Sequence, residues 1–355
     1  MPRPIKATID LAALTHNLDV VRRCAPRARV FAVIKANAYG HGVGRVARAL
    51  AGADGIALLE LGAAVQLRDD GYRGRLALLE GLFAVAELAT AAAHDLTIAI
   101  HHQDQLRLLD AAPRGARLDV MLKINTGMNR LGFTPRAAVD ACATLKNHAA
   151  VRQFTLMTHF ATADDARGVA WQMTVFDEVA AAWPVERCIA NSAAILRYPE
   201  THADWVRPGI MLYGGSPFAD VAAEALGLKP AMTLASEIIS VQNLQPGDRV
   251  GYAGTFEATQ PMRVGTVACG YADGYPRHAP TGTPILAGGQ RTRTLGRVSM
   301  DMLCVDLTGI PAASVGTPVT LWGAGLPADE VAAHSGTVSY ELMCAVAPRV
   351  TMREI

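Results

Sequence analysis

Short apolar runs recur along the first two thirds of the chain, and each is followed by a stretch with helical spacing. The runs Val30–Ile34, Gly55–Leu59, Leu76–Leu79, Leu96–Ile100, Leu118–Ile124, Phe154–Thr158, Arg187–Ala190 and Asp204–Val206 have the length and composition of buried strands. Ala-rich segments such as Leu61–Asp70, Ala84–His94, Pro135–Asn147 and Gly168–Ala182 separate them, and Leu11, Leu14, Leu18 and Val21 line one face of a helix before the first. Buried parallel strands read as continuous apolar runs because helices cover both faces. Eight such units predict a (β/α)8 barrel, a TIM-like fold typically built from about 250 residues. A doubly wound open sheet is the alternative with the same alternation.

The pattern changes after Lys229-Pro230. Glu237–Val241, Arg263–Ala268, Arg291–Val298, Leu303–Leu307 and Pro318–Trp322 are short β-branched runs separated by turns such as Gln245-Pro246-Gly247-Asp248 and Ala287-Gly288-Gly289-Gln290. We therefore expect a barrel over residues 1–230 and a mainly β unit over 231–355.

Composition narrows the class of protein. Hydrophobic residues make up 51% of the 355 and charged residues 18%, the balance of a soluble globular enzyme. A net charge of +1 gives no reason to expect a nucleic-acid partner or an anionic membrane. No apolar run approaches the ~18 residues of a membrane helix, and the first residues lack the apolar centre of a secretory signal. The six cysteines are scattered with no CxxC pair, which points to reduced thiols in a cytoplasmic protein and to no metal site.

Candidate chemistry begins at the end of the first predicted barrel strand, in Val30–Gly44, VFAVIKANAYGHGVG. Lys35 ends the apolar run, and a turn of small residues follows. Most strand-end lysines snorkel to solvent. Here, however, surface cation is carried by arginine: of 33 Lys plus Arg only Lys6, Lys35, Lys123, Lys146 and Lys229 are lysine, and Lys35 and Lys123 both end apolar runs. Burial would lower the pKa of such an amine and ready it for a Schiff base with an aldehyde. Gly40, Gly42 and Gly44 do not complete a dinucleotide fingerprint, since Arg45 occupies its last position.

A barrel places its active site at the C-terminal ends of its strands. The residues there are Lys35 and Tyr39 after the first strand, Lys123 and Thr126–Arg130 at the fifth, His159 after the sixth, Asn191 and Ser192 after the seventh, and Arg207, Gly209 and Ile210 after the eighth. Singly, His159 reads equally as a core histidine and Asn191-Ser192 as a helix cap. Together they form one polar rim. Phosphate should bind near the last strands, where Ser192 opens a short helix and Gly209 lets the backbone approach.

IKANAYGHG at 34–42 resembles the cofactor-attachment motif of the alanine racemases, and TGMNRLG, RPGIMLYG, GYADGYPR, GRVSMD and SYE follow in that family's order. The resemblance implies pyridoxal 5'-phosphate on Lys35, with Tyr39, Asn191, Ser192, Gly209, Ile210 and the C-terminal Tyr340 around its phosphate. Arg207 would face the pyridine nitrogen, and a guanidinium cannot surrender its proton to it. The ring then stays a weak electron sink, which favours reprotonation at Cα.

The resemblance also implies a homodimer with shared active sites. Tyr271 would be the second base, opposite Lys35, delivered from the other subunit and aided by a positive relay through His159 and Arg207. Arg130 would take the substrate carboxylate and the cofactor phenolate. Lys123, seven residues earlier, would be a carbamylated lysine pairing with it, although Asn125 stands where many relatives have Asp. Met300 and Asp301 would line the substrate's access path across the dimer interface. Ser299 stands where some relatives have Cys, and 276–284 lacks the tyrosine some carry.

The expected reaction is interconversion of L- and D-alanine, for peptidoglycan or catabolism. A methyl pocket excludes the hydroxymethyl of serine only weakly. A barrel decarboxylase with the same cofactor is disfavoured by Arg207 and by Phe160-Ala161-Thr162 in place of a Gly-rich loop. A bare cofactor carrier is disfavoured by the β unit that holds Tyr271.

Overall fold

The computed structural model describes residues 3–355. Eight parallel strands close a barrel: β2 (Arg29–Val33), β3 (Gly55–Leu58), β4 (Arg75–Leu78), β5 (Leu96–Ile100), β6 (Leu118–Lys123), β7 (Val151–Met157), β8 (Arg187–Asn191) and β9 (Trp205–Arg207). The pairing of β2 with β9, Arg29 opposite Trp205, completes the ring and excludes an open sheet. Phe31 and Trp205 stack at 4.1 Å across that seam. Every residue of β5 and β6 is buried, as strands covered on both faces require.

Strand β7 is longer than its apolar run. Arg152 and Gln153 interrupt the run because they are donors to the buried Asp119 of β6, toward the N-terminal ends of the strands. Arg75 of β4 binds the same carboxylate at 2.8 Å, and Glu186 bridges Arg29 and Arg75 beside Trp205. Conserving charge balance in this way lets a carboxylate sit where burial alone would exclude it.

The second sheet takes its first strand from before the barrel. β1 (Lys6–Ile9) pairs antiparallel with β10 (Met232–Leu244) and parallel with β18 (Thr351–Glu354). Asp10 then caps the helix Leu11–Cys24 by accepting the N–H of Ala13, and the chain enters the barrel. After β10 comes a small ribbon, β11 (Arg249–Val250) with β12 (Phe256–Glu257). It is followed by β13 (Met262–Val267), β14 (Pro284–Ala287), β15 (Gln290–Leu295), β16 (Leu303–Asp306) and β17 (Pro318–Trp322). β10 pairs β17 through residues 234–237 and β13 through 238–244, with a register shift between. One long strand thus closes β13-β16-β15-β14-β17 into a ring. The helices Ala328–His334 and Ser339–Cys344 follow, which alternation in the sequence did not announce.

The second of these helices returns to the barrel mouth. Gly40 packs against it so closely that a Cβ would lie 2.1 Å from the carbonyl oxygen of Met343. Among the described residues no helix is long and apolar enough to cross a membrane. No group of three or more His, Cys, Asp or Glu among them is placed to hold a metal ion.

Candidate active site

The turn after β2 is left-handed. Ala36, Asn37, Ala38 and Tyr39 have φ of 53°, 51°, 54° and 51°. For residues with a Cβ this costs roughly 1–2 kcal/mol each, so the surroundings must impose it. Asn37 accepts the N–H of Val43, and the buried His41 directs Nδ1 at the carbonyl oxygen of Tyr39, 2.8 Å away. Burial pushes His41 down to about 4, so the imidazole is neutral and Nδ1–H donates. Tyr39 is clamped between rings, stacked on Tyr213 at 4.5 Å with Tyr340 at 5.9 Å. The result is a half-buried Lys35 facing a cavity that Tyr39 also lines.

That cavity, about 580 Å3, opens at the C-terminal end of the barrel. It brings together Lys35, Tyr39, Lys123, Arg130, His159, Asn191, Ser192, Arg207, Gly209, Ile210 and Tyr340, side chains drawn from positions 35 to 340. On one side, Asn191 caps the helix Ser192–Arg197, and Ser192 Oγ accepts the N–H of Gly209 at 2.9 Å. The Ser192 hydroxyl proton therefore remains available to a ligand. A Cβ on Gly209 would lie 2.6 Å from the Tyr39 hydroxyl oxygen, so only glycine lets that phenol close over the loop.

On the other side lies a buried arginine. Arg207 directs Nη1 to the carbonyl oxygen and Sγ of Cys188, at 2.5 and 3.1 Å, and Nη2 to the carbonyls of Thr158 and Ile189, at 2.6 and 3.1 Å. Of its five N–H donors, four are thereby engaged and Nε–H is left for a ligand. Beneath it, Thr126, Thr158 and Gln172 form a buried hydrogen-bonded web that ties β6 to β7.

Lys123 is 7% exposed. Burial and the neighbouring Arg207 and Arg130 push its amine down to about 8, while Glu80 opposes the shift. His159 is driven well below the ordinary imidazole range by burial and then by Arg207, Lys123 and Arg130. The direction favours the neutral imidazole beside the charged Arg207. Asn125 accepts the N–H groups of Gly127 and Asn129, so a neutral side chain orders the Arg130 loop.

Three expected site residues lie elsewhere. Tyr271 is 38% exposed and Met300 53%. With Asp301 they sit on adjoining turns of the second unit, where the N–H of Tyr271 bonds to the carbonyl oxygen of Ser299. None of the three lines the Lys35 cavity. Conversely, Glu80, His101 and Asp164 do line it and were not among the expected residues. Glu80 and His101 directly follow the third and fourth predicted strands, so inspecting every strand end alike would have found them.

Four cations, Lys35, Lys123, Arg130 and Arg207, face two acids, Glu80 and Asp164, around this cavity. The arrangement defines a barrel enzyme for a small anionic molecule handled beside a lysine. The family description "Alanine racemase, N-terminal domain" matches residues 9–217, and "Alanine racemase, C-terminal domain" matches 231–354. The alanine racemase of Nitrosospira multiformis is 60% identical over 353 residues, 99% of either chain. That of Cupriavidus necator is 57% identical over 357 residues, 99% of this chain and 95% of the relative. Among solved structures, the biosynthetic alanine racemase of Pseudomonas aeruginosa superposes with a TM-score of 0.97 at 48% identity, covering 99% of both chains. The enzyme from E. faecalis gives 0.90 at 32%, covering 99% of this chain and 98% of that one. The chain belongs to the alanine racemase family.

Proposed function

We propose that this protein interconverts L- and D-alanine, using pyridoxal 5'-phosphate held at Lys35, with Lys35 and Tyr271 moving the α-proton on opposite faces of the substrate. The observation that carries the reading is the presence, around one cation-rich cavity, of Lys35 on its imposed left-handed turn and a buried Arg207 whose Nη donors are engaged and whose Nε–H is left free. The residues present fit the cofactor at both ends. Tyr39, Tyr340 and Ser192 offer hydroxyl donors and Ile210 a backbone N–H for a phosphate, beside Gly209, whose position has no room for a side chain. When bound, the cofactor supplies an aldehyde for covalent capture of amines and a conjugated ring that accepts the electron pair left at Cα.

The chain's own groups then set the outcome. Arg207 Nε–H can hydrogen-bond a ring nitrogen but, with a pKa above ~12, cannot protonate it. This limits electron withdrawal and favours return of a proton to Cα over side reactions. Arg130 offers its planar fork to a carboxylate. Neutral His159 can accept or donate one hydrogen bond without adding charge. A partly neutral Lys123 is the form that reacts with carbon dioxide, and its carbamate would turn the cation beside Arg130 into an anion.

Tyr271 is exposed and does not line the cavity of its own subunit, so we assign the second base to Tyr271 of the partner subunit in a homodimer, with Met300 and Asp301 reaching the access path in the same way. All six cysteines are free thiols, which supports a cytoplasmic setting. D-alanine made there would serve peptidoglycan.

The test follows the optical rotation of L-alanine with purified protein and added pyridoxal phosphate. Decay to zero, lost in Lys35→Ala, is expected. A constant rotation with cofactor bound would overturn the assignment.

A further inference from the structure

The turn that carries Tyr271 is held by a balanced set of charges that no local hydrogen bonding requires. Asp273, two residues on, is fully buried. Its Oδ1 accepts from Arg3 Nη1 at 2.9 Å and from Arg349 Nε at 2.8 Å. Its Oδ2 accepts from Arg3 Nη2 at 3.1 Å and from the N–H of Gly270 at 2.9 Å. Both arginines also reach the neighbouring turn. Arg3 Nη2 donates to the carbonyl oxygen of Asp301 at 2.7 Å, and Arg349 Nη2 to Asp301 Oδ1 at 2.7 Å. The backbone follows the same joint: Tyr271 N–H to Ser299 and Ala272 N–H to Met300, at 3.0 and 2.9 Å. Gly270 fits there because a Cβ would come 2.3 Å from the Ser299 carbonyl oxygen.

We propose that Arg3 and Arg349 are positioning residues for Tyr271, clamping its turn against the Ser299–Asp301 turn through Asp273 and Asp301. The inference rests on the reading of Tyr271 as the second base. A phenol that must meet a substrate bound in another subunit cannot be aligned by its own cavity. Its place is set by the rigidity of the surface that presents it. Two guanidinium forks suit the task, since Arg349 spans two carboxylates with Nε and Nη2. A lysine point charge cannot make that span. Each arginine side chain is about four-tenths exposed, and loss of one leaves Asp273 with the other and with Gly270 N–H, so single substitutions should leave the fold intact.

The test uses cofactor-loaded Arg349→Ala, Arg349→Lys and Arg3→Ala enzymes, with Tyr271→Phe as reference. Alanine is incubated in D2O, and α-hydrogen exchange and racemisation are followed together. With Tyr271 mis-set and Lys35 intact, racemisation by Arg349→Ala should fall roughly ten- to a hundredfold, as an ångström-scale misplacement does. Exchange on the Lys35 face should fall less, so the exchange-to-racemisation ratio rises. Arg349→Lys should restore the ratio only in part. Amide exchange of the 268–276 peptide should quicken in the arginine variants while the 30–42 peptide is unchanged.

If Tyr271→Phe leaves racemisation intact, the second-base reading fails, and this inference with it. If Tyr271→Phe raises the ratio but neither arginine variant does, the clamp alone is refuted. A parallel fall of exchange and racemisation, with both peptides loosened, would make the arginines merely structural and also refute it.

Discussion

Gly209→Ala isolates one contact of the proposed phosphate site. The added Cβ would lie 2.6 Å from the Tyr39 hydroxyl oxygen, where ordinary contact begins at 3.4 Å, so one of them must yield by about 0.8 Å (3.4 − 2.6). Tyr39 has little room to yield. It is 6% exposed, stacked on Tyr213, and fixed on a left-handed backbone. Overpacking of this kind costs about 1–3 kcal/mol. If 1–2 kcal/mol of it falls on the bound state, cofactor affinity drops roughly 5- to 30-fold. The second arm is Tyr39→Phe. The hydroxyl is gone, the nearest ring atom is Cζ at 3.4 Å, and Gly209→Ala becomes sterically ordinary. Any backbone cost of alanine at 209 is common to both backgrounds and cancels in the double-mutant cycle. The assay is absorbance titration of pyridoxal phosphate into the four proteins, beside their melting temperatures. The reasoning predicts a coupling of about 1–2 kcal/mol, with the double variant binding nearly as well as Tyr39→Phe. Equal loss from Gly209→Ala in both backgrounds would refute it.

Two further expectations concern buried charge. Asp119→Asn should destabilise the barrel by about 2 kcal/mol at neutral pH, less than a fully buried pair would lose because Arg152 is part-exposed. Its arginine and Gln153 partners hold the Asp119 carboxyl below its ordinary 3.8 against the opposing effect of burial, so its contribution is complete above that pH and lost as pH falls through the folded value. Urea unfolding should show the wild-type advantage shrinking below about pH 4, and a pH-independent gap would contradict the ion pairing. For Lys123 stability again rises with pH, but here the charged form is the destabilising one. A fall from 10.5 to about 8 makes the charged amine cost about 3 kcal/mol below pH 8, a cost that disappears by 10.5. Cofactor-free Lys123→Met should therefore be more stable than wild type below pH 8 in bicarbonate-free buffer, and the gain should vanish toward pH 10.5. Bicarbonate should stabilise only wild type if the lysine takes up a carbamate. Identical melting profiles for the two proteins would remove both claims.

Much of this protein is local and could be read in order along the chain. Buried parallel strands write themselves as apolar runs because both faces are covered, and the helices between them carry their own spacing and caps. Lys35 and its turn could be recognised for the same reason: strand end, small residues and glycines are neighbours in sequence. Periodicity states which face is buried but not against what. Nothing in Lys6–Ile9 says that it pairs with residues 232–235 and 351–354 rather than with the barrel. Nothing local places Tyr340 beside Tyr39, or turns Tyr271 away from the cavity of its own subunit. Nor could composition show that burial, and then four cations around one cavity, would push the His159 imidazole well below its ordinary range. Strand pairing, helix docking and summed electrostatic fields depend on distances between residues far apart in the chain. Those distances exist only once the barrel has closed and the second sheet has packed against its mouth.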